Sequence, residues 1–418
     1  MMSVSPPATF ATSLQCALCG NSFATAVSSR DRDGGALRTV ACADCGLVWV
    51  DPRPHDARQF YEQDYRLAYK NTFEPRPVRV LRAGRVALGR WSRINGVLRP
   101  GMRVLDVGSG GGEFSYLLTK LGQQVIGVEP NVGYAEFSRR EYGLNIRRAF
   151  IGDVQLEPAS RDLVTIWHVL EHTENPDAVL LQLRRVLAPG GLLVVEVPNI
   201  EATCQSPSST FHAAHLYHFN AATLKALARR CGLSAVHQEL SLDGGNLTMV
   251  FRAEDEPAPA DCRLPGNHAR ITHVLARHTP FRHLLRPATA LRTARRLAGF
   301  LDERLALFAL PKSTGKVLLD HLYDQPLRDG RAPEGLPMLR FGGLAAFALV
   351  VAWWLERELV DDAHLLGWSV AEGTATYFAL QAAVLVGVWL LAKRVSPKGL
   401  RMRLAGLGVI LALMPVLH

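Results

Sequence analysis

The chain has 418 residues, of which 48% are hydrophobic and 20% charged, and it carries a formal net charge of +9 at pH 7. This length allows two or three domains with a large buried core. The first ten residues contain neither a basic stretch nor an apolar run, which argues against a secretory signal and for a reducing compartment.

Near the N-terminus, four of the seven cysteines form two Cys-x-x-Cys pairs. The pairs are Cys16 with Cys19 and Cys42 with Cys45, they are separated by twenty-two residues, and a glycine follows each second cysteine. This spacing predicts a zinc ribbon over residues 1–55, with disulfides as the alternative that a reducing compartment disfavours. Because four thiolates leave no open coordination position, we expect the Zn²⁺ ion to be structural.

The next strong signal is an apolar strand that ends in a glycine-rich turn. Residues 104–107 predict the strand, residues 108–112 read Gly-Ser-Gly-Gly-Gly, and helical periodicity resumes at Glu113. Glycines at such a turn let the backbone approach a ligand closely, because no Cβ is in the way. Asp106 stands where NAD-binding turns usually carry an apolar residue, and the glycine spacing also differs from that of dinucleotide binders.

A second apolar strand, over residues 124–128, ends at Glu129. A carboxylate at this place can accept hydrogen bonds from both hydroxyls of a ribose. The alternation of strand and helix with this spacing therefore predicts an adenosine-type cofactor bound to a doubly wound sheet.

Three downstream segments extend the pattern: residues 152–153, residues 162–172 and residues 187–199. Together with the glycine-rich turn, they resemble class I S-adenosylmethionine-dependent methyltransferases, in particular the branch that contains quinone-precursor and sugar methyltransferases. The resemblance covers residues 104–252. Enzymes of bacterial glycan and deoxysugar pathways similarly carry a zinc ribbon ahead of such a domain.

The resemblance implies an α/β fold with a Rossmann-like, seven-stranded methyltransferase sheet, which we assign to residues 56–252. Two edge strands, near Val236 and over residues 247–252, are expected to complete the sheet. A basic helical stretch over residues 77–98 is expected to pack beside the cofactor site.

The resemblance also implies roles for the cofactor site. Asp106 and the backbone of the glycine turn would hold the methionine end of S-adenosylmethionine, Glu129 the ribose, and Asp153 the adenine amino group. The segment 168–172 follows the fourth strand, at the sheet edge where open α/β sheets bind ligands. The predicted cofactor-binding residues are Asp106, Gly108, Ser109, Gly110, Gly112, Glu129, Pro130, Asp153 and His168.

An insertion rich in histidine, residues 200–219, lies where this family builds its substrate lid. A hydroxyl acceptor needs a base as its proton leaves, and histidine is well matched to neutral pH. The candidate catalytic residues are His215, His218 and His172. A purely structural role is the alternative for His215 and His218, and a role in shaping the cofactor site is the alternative for His172. Related sugar C-methyltransferases have a glutamate before the residue that matches His215; here it is Ala214, which favours O-methylation.

The composition changes after residue 252. Between residues 263 and 304 there are nine arginines and four histidines but only two carboxylates. We interpret residues 253–335 as a basic linker with amphipathic helices that lie on an anionic membrane surface. RNA binding and a solvated helical face are the alternatives.

The C-terminal region, residues 336–418, contains three apolar segments. Residues 336–355 include a single charge, residues 373–392 include none, and residues 404–417 are short for a span of about 20 residues. The first two predict a transmembrane hairpin and the third a further span or an interfacial helix, with a buried soluble hairpin as the alternative. The flanking charges place the methyltransferase on the cytoplasmic side of the inner membrane.

The sequence thus predicts methyl transfer to a small-molecule or glycan acceptor, which the anchor would favour in lipid-linked form. An RNA methyltransferase is the first alternative, but nucleic acid is disfavoured because residues 168–172 lack the Asn/Asp-Pro-Pro-Tyr type of motif of amino-methylating enzymes. A non-catalytic, cofactor-binding scaffold is the second alternative. The sequence gives no oligomeric state.

Overall fold

The computed structural model describes residues 9–53, 74–254, 262–284 and 314–330, together with single residues between 286 and 307. The chain divides into two compact units, and the first, Met1–Arg286 with Glu303–Gly335, contains both sheets. The second unit lies almost entirely outside the described residues.

Twelve strands and eight helices make up the described part of the chain. The strands are β1 (Thr9–Ala11), β2 (Phe23–Arg30), β3 (Ala36–Cys42), β4 (Val48–Val50), β5 (Arg103–Val107), β6 (Gln124–Val128), β7 (Ile146–Arg147), β8 (Arg161–Trp167), β9 (Leu187–Pro198), β10 (Tyr217–His218), β11 (Leu233–Leu240) and β12 (Asn246–Ala253). The helices are α1 (Pro77–Ile94), α2 (Glu113–Lys120), α3 (Val132–Tyr142), α4 (Pro176–Val186), α5 (Ala221–Arg230), α6 (Asn267–Arg277), α7 (Pro280–Leu284) and α8 (Gly315–Asp329).

The larger sheet has seven strands in the order β11-β12-β9-β8-β5-β6-β7. The five strands β9, β8, β5, β6 and β7 are parallel to one another. Strand β12 pairs antiparallel with β9, and β11 pairs antiparallel with β12. Strand β5 is apolar and buried because helices cover both faces of a parallel sheet. The predicted Rossmann-like, seven-stranded sheet is confirmed. Of the two strands predicted to lie at the edge of the sheet, β11 does so, whereas β12 lies between β9 and β11.

Helix α1 connects the sheet to a helix beyond the predicted methyltransferase domain. Its apolar face is buried, and it packs on α2 and on α8. A Cβ at Gly84 would come within 2.6 Å of a Leu319 methyl group on α8, so glycine permits this close contact. Tyr323, also on α8, donates a hydrogen bond of 3.0 Å to the carbonyl of Glu113. The segment interpreted as a basic linker therefore contributes a core helix.

The smaller sheet has five antiparallel strands in the order β1-β2-β3-β4-β10. Its first four strands belong to the predicted zinc ribbon, but β10 comes from the histidine-rich insertion. Helix α6 packs on the same sheet: the Asn267 side chain donates to the carbonyl of Cys45 at 2.7 Å. At Gly46, where φ is +72°, a Cβ would lie 2.8 Å from the backbone nitrogen of His268. The predicted domain boundaries stay predictions.

Within the described part of the chain, none of the helices has the length and apolar character that a membrane crossing needs. The predicted spans, residues 336–355, 373–392 and 404–417, lie outside the described residues.

Candidate functional site

A cavity of about 830 Å³ opens at the carboxyl ends of β5, β6 and β8. Its walls come from residues 108–111, 128–130, 149–153 and 167–175, and from one face of α1. This is the edge at which open α/β sheets bind their ligands.

The glycine turn forms one wall of the cavity. The backbone nitrogens of Gly108 and Ser109 donate to the carbonyl of Val128, at 2.7 and 3.0 Å, which fixes the turn on the end of β6. Gly108 has φ of +68°, and a Cβ there would come within 2.3 Å of a Val169 methyl group. Glycine is therefore required at this position by backbone conformation and by packing.

Glu129 lies next to the turn, at the end of β6, and is buried. One carboxylate oxygen accepts from the backbone nitrogen of Gly110 at 2.8 Å, and the other accepts from that of Asn131 at 3.0 Å. Each carboxylate oxygen has two acceptor sites, so both retain capacity for further donors such as ribose hydroxyls. Glu129 and Pro130 both line the cavity, as predicted for cofactor-binding residues.

Asp106 and Gly112 stand behind the cavity wall instead of lining it. The two oxygens of the Asp106 carboxylate accept from the hydroxyls of Ser115, at 2.7 Å, and Thr165, at 2.9 Å. Burial raises the pKa of Asp106. These bonds join β5 to β8 and α2, so the carboxylate supports the turn from behind; its contact with the methionine end stays a prediction.

The other predicted cofactor residues, Ser109, Asp153 and His168, all line the cavity. Asp153 is exposed at the rim, in a 3₁₀ turn over Ile151–Asp153. The structure thus brings together seven of the nine residues predicted to bind the cofactor.

His168 is held between two carboxylates. Its Nδ1 lies 3.3 Å from Oε1 of Glu171, and its Nε2 lies 3.2 Å from Oε1 of Glu196. Burial by itself would lower the pKa of His168, but the two carboxylates outweigh it and raise the pKa to about 9. His168 also has φ of +54°, which is uncommon for a residue other than glycine and typical of functional sites.

Four histidine rings form a cluster that reaches the cavity wall next to Glu171. The ring centroids of His172 and His215 are 4.7 Å apart, those of His215 and His212 are 5.2 Å apart, and those of His215 and His218 are 5.9 Å apart. Of the three candidate catalytic histidines, His172 and His215 line the cavity, whereas His218 is buried behind them.

The protonation of this cluster contrasts with that of His168. Burial lowers the pKa of His212 and of His218 to about 4 and lowers that of His215 well below its ordinary value. These imidazoles are therefore neutral near pH 7, as a proton acceptor must be. Nδ1 of His172 donates to the carbonyl of Ala214 at 2.7 Å, so its Nε2 is the ring nitrogen that approaches Glu171.

Glu171 is a buried carboxylate at the edge of the histidine cluster. Its Oε1 lies 3.7 Å from Nε2 of His172, and ring nitrogens of His172 and His215 lie within 4.8 Å of the carboxylate and of each other. The attraction of the histidines lowers the pKa of Glu171 against the effect of burial. Glu171 therefore brings a carboxylate close to His215, although the residue that precedes His215 in the sequence is Ala214.

Arg90 on α1 is a cavity residue that the sequence analysis missed. Its guanidinium lies 4.9 Å from the centroid of the Trp167 ring, and its buried Nε has no hydrogen-bond partner among the described residues. Basic residues recur at helical spacing along residues 77–98, but the sequence does not distinguish Arg90 from the other arginines. The residues of α1 that line the cavity are Arg79, Arg82, Ala83, Val86 and Arg90.

The four ribbon cysteines form a second candidate site, away from the cavity. Sγ of Cys16 lies 3.5 Å from Sγ of Cys45, that of Cys19 lies 3.4 Å from that of Cys42, and all four lie within 4.8 Å of one another. Tetrahedral Zn–S bonds of about 2.3 Å require sulfurs about 3.8 Å apart, so this set fits the ion. Contacts among the four thiols lower the pKa of Cys42 and raise those of Cys16 and Cys45.

Comparison with known proteins agrees with this fold. Residues 81–238 match a family described as "Methyltransferase domain", so the chain contains a methyltransferase domain over those residues. The prediction of a methyltransferase is confirmed at the level of this domain.

Two of the most similar curated proteins are named ubiquinone biosynthesis O-methyltransferase. The one from Agrobacterium fabrum is 34% identical over 104 residues, which are 24% of this chain and 42% of the relative. The one from Paraburkholderia phymatum is 31% identical over 157 residues, which are 35% of this chain and 63% of the relative. The chain therefore covers less than two thirds of either relative.

Among solved structures, the Burkholderia thailandensis 1,6-didemethyltoxoflavin-N1-methyltransferase is 19% identical and has a TM-score of 0.39. The match covers 51% of this chain and 98% of that protein. At this TM-score the match carries no argument about the site.

Proposed function

We propose that this protein is an S-adenosylmethionine-dependent methyltransferase that methylates a hydroxyl group of a small-molecule or glycan acceptor. The observation that carries the proposal is the cavity itself, in which the anchored carboxylate of Glu129 and the neutral ring of His215 both form part of the wall. The names of the O-methyltransferase relatives support the choice of oxygen as the acceptor atom.

The cofactor is expected to lie along the glycine turn. Glu129 would accept from the ribose hydroxyls, Asp153 from the adenine amino group, and Arg90 would pair with the methionine carboxylate. The assignment of Arg90 rests on charge, because a half-buried guanidinium that lines the cavity and whose buried Nε has no hydrogen-bond partner among the described residues is suited to bind an anion.

S-adenosylmethionine supplies the electrophilic methyl group. Its transfer is an in-line displacement, so positioning of the acceptor provides much of the rate. The acceptor oxygen forms a bond to the methyl carbon as the bond from that carbon to sulfur breaks, and the hydroxyl proton passes to the neutral imidazole of His215. Glu171 stabilises the imidazolium that results, and His172, whose Nδ1 is held by the carbonyl of Ala214, packs against the His215 ring.

We further propose that the four cysteines hold one structural Zn²⁺, because four sulfurs complete its tetrahedral shell. We also propose that the acceptor is lipid-linked and is methylated at the cytoplasmic face of the inner membrane. That part of the proposal rests on the apolar segments of residues 336–418 and on the arginines of residues 263–304, which suit an anionic lipid surface.

The cofactor assignment is tested by calorimetric titration of the full-length protein with S-adenosylhomocysteine. Glu129→Ala should weaken binding about 10- to 150-fold, since hydrogen bonds to a charged group contribute about 1.5–3 kcal/mol. Glu136→Ala, on the exposed side of α3, is the matched control and should leave the affinity unchanged. Equal affinities of the two variants would refute the role of Glu129.

The acceptor class is tested with methyl-labelled S-adenosylmethionine. The full-length protein is incubated separately with a bacterial polar-lipid extract, a water-soluble metabolite extract and total RNA. We expect label in the lipid or metabolite fraction, released by treatments that cleave methyl ethers. Label confined to RNA would overturn the proposed acceptor and favour the RNA methyltransferase.

A further inference from the structure

We propose that the four-cysteine ribbon holds the histidine side of the cavity in place, so that emptying the cysteine site releases residues 211–219 and leaves the cofactor side intact. We call residues 211–219 the histidine segment. The inference goes beyond the proposed function, because it concerns what fixes this segment and does not depend on the acceptor.

The histidine segment is attached to the ribbon by backbone pairing at both of its ends. At one end the backbone nitrogen of Arg32, in the β2–β3 hairpin, donates to the carbonyl of Phe211 at 2.8 Å. At the other end β10 pairs with β4, and the backbone nitrogen of Val50 donates to the carbonyl of Leu216 at 3.1 Å. His212 and His215 lie between these two attachment points.

The strand that receives β10 is built directly on the metal-binding loop. Cys42 ends β3, Cys45 follows in the turn, and β4 begins at Val48. Within the turn, the backbone nitrogen of Cys42 donates to the carbonyl of Leu47 at 2.8 Å, and that of Leu47 approaches Sγ of Cys45 at 3.5 Å. The position of β4 therefore depends on how the cysteine pair is held.

Side-chain packing continues the same connection. Trp49 on β4 is buried in one core with Leu216, Tyr217 and Phe219 of the histidine segment. His218 on β10 is buried, and the centroid of its ring lies 5.3 Å from that of Phe211. A displacement of β4 would therefore move the ring of His218. Because the His218 ring is next to that of His215, it would also move His215.

A bound ion is expected to control this arrangement. The four sulfurs lie within 4.8 Å of one another, so one ion can bind them all and join the Cys16–Cys19 turn to the Cys42–Cys45 turn that precedes β4. A sheet of short strands such as β4 has little independent stability, and structural zinc sites supply folding energy to such small units. The bonds that fix the cofactor side, between Gly108 and Val128 and between Gly110 and Glu129, involve no ribbon residue.

The experiment is hydrogen–deuterium exchange of the full-length protein, with zinc content measured by metal analysis. Cys16→Ser combined with Cys42→Ser should remove the ion and raise amide exchange in the histidine segment at least tenfold. Exchange in residues 104–129 and the affinity for S-adenosylhomocysteine should each change less than twofold. Cys231→Ser, a buried thiol outside the ribbon, is the control and should retain both the ion and the protection.

A second variant breaks the connection without touching a cysteine. Val50→Pro removes the N–H that donates to Leu216, so the protein should keep its zinc while the histidine segment exchanges at least tenfold faster. Unchanged protection of the histidine segment after a measured loss of zinc would overturn the proposal, as would a metal-free wild-type protein with a protected segment. Loss of cofactor affinity along with the zinc would also overturn it, because the two sides would then not be separable.

Discussion

The two sides of the cavity are built in different ways. The cofactor side consists of turns that directly follow β5 and β6, and its contacts join residues that are close in sequence or on adjacent strands, such as Gly110 with Glu129. The histidine side depends on pairing between residues far apart, such as Tyr217 with Trp49. One side is therefore fixed by local backbone geometry, and the other by contacts with the ribbon.

The largest expected effect tests how rigid the cofactor side is. Gly108→Ala introduces a Cβ at positive φ and within 2.3 Å of Val169, so we expect a loss of about 2–5 kcal/mol in the free energy of unfolding by urea. Gly122→Ala is the control, because φ there is +79° but no atom lies within 4 Å of the added Cβ. It should lose only about 1–2 kcal/mol. Equal losses would mean that Val169 yields and that this side is less rigid than inferred.

The methionine end and the adenosine end of the cofactor can be tested separately. Arg90→Gln should weaken binding of S-adenosylhomocysteine about 10- to 150-fold, because a charge-assisted bond to the methionine carboxylate is lost. Adenosine, which has no such carboxylate, should bind both proteins equally in the same calorimetric titration. Arg229→Gln, on the exposed side of α5, is the control. A parallel loss of adenosine affinity would instead assign Arg90 a structural role.

His168 provides a pH-dependent test at the boundary between the two sides. Its pKa is raised from 6.5 to about 9, so its stabilising effect is complete below pH 6.5 and is lost as the pH rises through 9. The advantage of the wild type over His168→Asn in unfolding free energy should fall by about 1–2 kcal/mol from pH 6 to pH 10, a figure reduced for the partial exposure of the ring. An advantage that is constant with pH would contradict the ion pairing with Glu171 and Glu196.

The smallest expected effect is that of His215→Asn on cofactor affinity. Since His215 belongs to the histidine side, its replacement should change the dissociation constant of S-adenosylhomocysteine less than twofold, while methyl transfer to an accepted substrate is lost. His237→Asn, at an exposed histidine of β11 that does not line the cavity, is the control for transfer. A tenfold loss of cofactor affinity in His215→Asn would show that the two sides of the cavity are not independent.

Much of the cofactor side could be predicted because strand-to-helix turns are encoded in consecutive residues. The positions of Gly108 and Glu129 follow from the period of the strands and from the freedom of glycine. Asp106 is predicted to touch the ligand, and only the fold shows that its oxygens also accept from the hydroxyls of Ser115 and Thr165. Arg90 was missed because nothing local distinguishes it from the other arginines of α1.

Four features could be predicted from the sequence, since each is a property of neighbouring residues. They are the order of strands and helices around the cofactor site, the glycine turn, the cysteine pairs and the histidines of the insertion. Three contacts are seen only in the tertiary structure: β10 completes the ribbon sheet, α8 packs against α1, and Glu171 approaches His215. These contacts join segments separated by tens to hundreds of residues. Their partners are selected by burial and by hydrogen-bond satisfaction across the whole fold, which no local pattern records.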